Sequence, residues 1–65
     1  MQTEQALGSA FQQQVVALYK QFAHARAMAM GDEAKMAEAQ ARFQKGLALA
    51  EDTFKHALIL AEGLA

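Results

Sequence analysis

Two histidines are the strongest candidates for chemistry in this chain. Asp52 and His56 stand four residues apart, so on a helix they share one face, a spacing that holds a metal ion or simply makes a surface pair. His24 is the other imidazole. If the chain folds back on itself, it lies about 25–30 Å from His56 along the axis, too far to share a metal within one hairpin. An antiparallel dimer would bring the two closer. The Glu-x-x-His element of di-iron bundles is missing, because Gln21 and Thr53 occupy the positions three before each histidine. The hydroxyls are Thr3, Ser9, Tyr19 and Thr53. No nucleophile-base pair, phosphate loop or buried carboxylate pair can be assembled from them and their neighbours. The chain has no cysteine, which removes disulfides and thiolate ligands. Solvated histidines, no metal, no cofactor and no enzymatic activity are therefore expected.

The elements that position these groups are two long helices. No proline occurs, and alanine, glutamine, glutamate, lysine, leucine and methionine, all good helix formers, dominate. Leu7, Phe11, Val15, Leu18, Phe22, Ala25 and Ala29 recur at steps of four and three, one seam along a first helix from about Thr3 to Met30. Ser9 with Gln12 offers a competing capping-box start just after Gly8. The longer helix is preferred because Leu7 continues the stripe. Gly31 suits a left-handed closure and Asp32 an N-cap, with Glu33 complementing the positive dipole end. The second helix, about Glu33 to Glu62, carries Met36, Gln40, Phe43, Leu47, Ala50, Phe54, Ala57, Ala61 and Leu64 as its seam. Gly63 follows as a closing glycine. One domain over residues 1–65 results: an all-α, two-helix antiparallel hairpin.

Folding the seams about Gly31 sets Ala25 near Met36, Phe22 near Gln40, Leu18 near Phe43, Val15 near Leu47 and Phe11 near Ala50. Gln40 then either fixes register as a lone polar seam residue or sits on a rotated helix that lets its amide reach solvent. Alanines such as Ala25, Ala27, Ala29, Ala34 and Ala39 crowd the turn end, where the helices can approach closely. Bulky Leu7, Phe11, Phe54, Leu58 and Leu60 fill the open end. Two hairpins laid antiparallel would match bulky end to small end, which suits an isologous two-fold dimer.

Association is the expected source of the missing core, since a 65-residue chain without disulfide or metal rarely stabilises itself. The expected oligomer interface runs along Leu7, Phe11, Val15, Leu18 and Phe22 of helix one. In helix two it takes in Phe43, Leu47, Phe54, Leu58 and Leu60. Val16, Leu49, Leu58, Ile59 and Leu60 fall off the narrow stripe. The run from Ala57 to Ala61 is apolar around the whole circumference, which fits burial on more than one side; a frayed, exposed end is the bland alternative. Met28, Met30 and Met36 surround the turn as core filler or as an adaptable contact. Gly46 either admits a bulky neighbour such as Tyr19 or marks a weak spot.

A formal net charge of −1 gives no overall attraction to nucleic acid or anionic lipid. Glu38 and Arg42 are spaced for a helical ion pair. The first residues lack the basic and apolar regions of a secretory signal, and no apolar run approaches a membrane span. A cytoplasmic location is expected on those grounds. The outer side of helix one presents Gln13, Lys20, Gln21 and His24. In layout this resembles the Rop family of small dimeric hairpin proteins, whose outward polar and basic residues hold paired RNA loops. The resemblance is one of architecture, with no motif in common. No residue is carried over from that family; an RNA face on this chain would be built on its own Lys20, His24 and nearby glutamines, against the plainer reading of a solvated surface.

The expected function is thus a homodimeric four-helix bundle acting as a non-enzymatic interaction or scaffold module. A Rop-like RNA-binding regulator and a small helical subunit of a hetero-complex are the alternatives.

Overall fold

The computed structural model describes residues 2–63 as two helices, α1 (Gln2–Ala29) and α2 (Glu33–Glu62), folded into a hairpin. Leu64, expected at the end of the second seam, lies outside the described residues. Helix α1 starts ahead of Thr3 and runs straight through Gly8 and Ser9, so the competing cap at Ser9 is not used. The helices turn because Met30 (φ 50°) and Gly31 (φ 84°) are both left-handed. Gly31 takes this conformation freely, whereas Met30, expected to be the last helical residue, bears the cost of an L-residue at positive φ. The amide of Asp32 then donates to the Ala29 carbonyl at 2.9 Å. The Asp32 carboxylate accepts from the Lys35 amide at 3.1 Å, capping α2. Gly63 closes α2 without left-handed geometry: its φ is −66°, and its amide donates to the Ile59 carbonyl at 3.2 Å.

Apart from Gln40, and with Leu58 drawn in from its expected place off the stripe, the seam forms on the expected residues described here. Leu7, Phe11, Val15, Leu18, Phe22 and Ala25 are half-buried and Ala29 is buried. On α2 the half-buried set is Met36, Phe43, Gly46, Leu47, Phe54, Ala57, Leu58 and Ala61, with Ala39 and Ala50 buried. Gln40 is exposed and Ala39 takes the inward position, so α2 is rotated to let the amide reach water.

The register differs from the one expected. Phe11 stacks on Phe54 (ring centroids 4.8 Å, 17° between planes) and Phe22 on Phe43 (4.7 Å, 14°). Each partner lies about one helical turn further along α2 than folding Cα positions about Gly31 implies. The cause is side-chain direction. Helical side chains lean toward their own N-terminus, so tips on α1 lean toward the open end and tips on α2 toward the turn. Meeting tips therefore need a larger α2 number. The Leu18 side chain lies beside Gly46, where a Cβ would come within 2.7 Å of its Cδ2. Gly46 thus admits a bulky neighbour, but it is Leu18, and Tyr19 stays exposed. Close approach is not confined to the turn end either, because Ala50, near mid-helix, is the most deeply buried of the core residues at 1% exposure.

Two glycine substitutions separate backbone strain from helix propensity. Gly31→Ala meets no atom within 4 Å, so its effect is conformational alone and should cost about 1 kcal/mol. Gly8→Ala, also unobstructed and inside α1, should gain about 1 kcal/mol. Thermal denaturation should show midpoints moving in opposite directions.

Candidate interaction surface

Two helices share one line of contact, and the Cα atoms accordingly fill a flat slab of 50 × 15 × 7 Å. Among the described residues the fully buried hydrophobic side chains are three alanines, and no large side chain is fully enclosed. Both broad faces of the slab are open.

Helical periodicity assigns residues to these faces. On one, a groove is lined by Arg26, Glu33, Met36, Ala37 and Gln40. Stepping along each helix from these by three and four residues reaches Tyr19 and Gln12 on α1, and Gln44, Leu47, Glu51 and Leu58 on α2. Val16 stands at the margin of this tyrosine face. On the opposite side a groove of about 370 Å³ runs past Gln21, His24, Ala39 and Arg42. It continues toward the turn past Met28, Lys35 and Glu38. The same stepping adds Ala10 and Ala17 from α1, with Leu49, Thr53, His56 and Leu60 from α2, to this histidine face.

Large apolar side chains stand uncovered on both faces. Tyr19 is 62% exposed on the first, and Leu49 and Leu60 are 65% and 64% exposed on the second. Ile59 projects from the outer side of α2, away from α1, and is equally open. Of the expected interface set, Leu7, Phe11, Val15, Leu18, Phe22, Phe43, Leu47, Phe54 and Leu58 lie half-buried along the hairpin's own seam, while Leu60 points outward. Met36 is half-buried as core filler, whereas Met28 and Met30 are exposed. Tyr19 is the apolar surface group that periodicity underrated, since one polar atom and its neighbour Lys20 disguise it.

The polar groups are dispersed. Arg42 Nη2 meets Glu38 Oε1 at 3.0 Å as the expected i, i+4 pair, both ends largely in water and so contributing a few tenths of a kcal/mol. The Arg26 guanidinium sits 5.9 Å from the Phe22 ring centroid, a cation–π contact on the tyrosine face. His24, His56 and Lys20 are exposed. No group of three or more His, Asp or Glu among the described residues converges as a metal site. No helix among them is long and apolar enough to cross a membrane.

Charge is distributed along the long axis. Residues 17–46, the half next to the turn, hold five Lys and Arg against Asp32, Glu33 and Glu38, a net +2. The open half holds Lys55 against Glu4, Glu51, Asp52 and Glu62, a net −3.

No protein-family model, curated protein or solved structure matches this chain.

Two aromatic stacks cross the seam, Phe11 on Phe54 and Phe22 on Phe43. A double-mutant cycle with Phe22→Leu and Phe43→Leu should return a coupling near 1 kcal/mol in urea denaturation. A value within error of zero would mean the rings contribute only buried area.

Proposed function

We propose that this hairpin is a non-enzymatic interaction module that works as a homodimer, two copies merging into a four-helix bundle that serves as a scaffold. The observation that carries the reading is the absence of an interior: among the described residues the buried ones are small alanines, while the large seam side chains are half-covered and Tyr19 stands in water.

Areas support it. The chain exposes 5314 Å², about 1,200 Å² more than a compact protein of 7.1 kDa. A compact particle of twice that mass exposes about 6,800 Å². Merging two hairpins to that compactness would remove about 3,900 Å² in total, within the range of obligate homodimers. Large apolar side chains left exposed on a broad face mark association surfaces. Ile59 and the turn methionines Met28 and Met30 remain as contact points for a further protein. Among the described residues the histidines and hydroxyls are dispersed rather than gathered into one cluster, which fits a non-enzymatic module.

Size-exclusion chromatography with light scattering tests the reading directly, and twice the chain mass is the expected result. A cooperatively melting monomer would refute it. Aggregation or disorder of the isolated chain would move the assignment to a subunit of a hetero-complex. A dimer that retards hairpin RNA at low salt, losing this on replacement of Lys20 and His24, would move it to the Rop-like class. Leu58→Glu should convert the dimer to unfolded monomer in one step, because association and folding share the same apolar contacts. A folded Leu58→Glu monomer would contradict that coupling.

A further inference from the structure

We propose that the second copy packs on the tyrosine face, antiparallel, with the turn of each hairpin against the open end of the other. This rests on the homodimer reading above and adds the face, with a second and independent ground for the antiparallel direction.

Direction follows from charge. The turn half carries a net +2 and the open half a net −3. A parallel pair sets +2 on +2 and −3 on −3, whereas an antiparallel pair sets each half on its opposite. The preference is modest per charge because exposed groups are screened over about 8 Å. It nevertheless acts on every encounter, and like-charge juxtaposition disfavours the wrong arrangement.

The face follows from what each candidate would cover. A two-fold axis across the middle of the slab lays α2 along its own copy, mid-helix on mid-helix, with residue numbers in each pair adding to about 95. On the histidine face this places Lys35 over Leu60, and Arg42 with its Glu38 partner over Thr53 and Ala57, charges desolvated against uncharged groups. On the tyrosine face the same axis places Leu47 beside Leu47 of the other copy and Leu58 over Ala37, a large side chain on a small one. Glu51 comes over Gln44 and Lys55 over Gln40, so each ion meets an amide that can hydrogen-bond it. Along α1, Arg26 comes within reach of Glu4. Glu33 over Glu62 is the one like-charged match, and it falls at the extreme ends, in water. Leu47 is already half-covered by the hairpin and would be closed off completely.

The chain's lack of cysteine makes single-cysteine cross-linking clean. Leu47→Cys and Leu49→Cys sit at nearly the same height on opposite faces, and Met30→Cys sits at the tip of the turn. Under mild oxidation, Leu47→Cys should form disulfide-linked dimer at least about tenfold faster than either other variant, through its high effective concentration at the axis. A faster Leu49→Cys would overturn the face. A faster Met30→Cys would overturn the direction. If Leu47→Cys fails to fold, mixing the exposed-site variants Gln44→Cys and Glu51→Cys should give the mixed disulfide in preference to either homodimer. Light scattering on the parent chain keeps the two readings apart. A monomer there removes the homodimer itself, while a dimer with the wrong cross-linking pattern removes only this arrangement.

Discussion

A pair of helices has one line along which to hide apolar surface, and everything else in this molecule follows from that limit. Each residue on the seam is covered from one direction only. Alanine, small enough to be closed over by a single neighbouring helix, is therefore the residue that becomes buried, as at Ala29, Ala39 and Ala50. Phenylalanine is too large for this, and Phe11, Phe22, Phe43 and Phe54 are half-covered even though each has a stacked partner. Aromatic stacking and close alanine contact thus divide the work: the rings set register, and the small residues set how near the helices come.

Much of this was legible in the sequence. Seven α1 seam positions could be named from spacing alone, and the bounds of α2 follow from Asp32 as cap and Glu62 before Gly63. These signals are local, and in a chain with one break nothing competes with them. Register was not legible by counting Cα positions, because it depends on the lean of side chains. A signal for it did exist. Phe11 and Phe22 are eleven residues apart, as are Phe43 and Phe54. Eleven residues make three turns, so each pair returns to one face. Equal intervals on two facing helices allow both pairs to stack at once in a single alignment. The left-handed Met30 was also hidden, since nothing in its type favours that conformation; the short reversal imposes it.

The candidate surface was less legible than the fold. Periodicity separates the seam from the rest, but it does not separate one broad face from the other. That distinction needs the handedness of both helices and their antiparallel sense together. Once these are fixed, Lys35, Glu38 and Arg42 fall on the histidine side, while Arg26, Glu33 and Glu51 fall on the tyrosine side. In the sequence these charges carry no mark of the side they take.

The matched intervals have a further consequence. Were the bend at Met30 and Gly31 to straighten, two chains lying side by side in opposite directions could remake both aromatic stacks with each other's rings, at the same separations. The stacks are indifferent to which polypeptide supplies the second ring. What keeps a chain paired with itself is then confined to the bend, its left-handed backbone and the Asp32 carboxylate, so the choice between a compact clip and an interlaced rod is held by three residues out of 65.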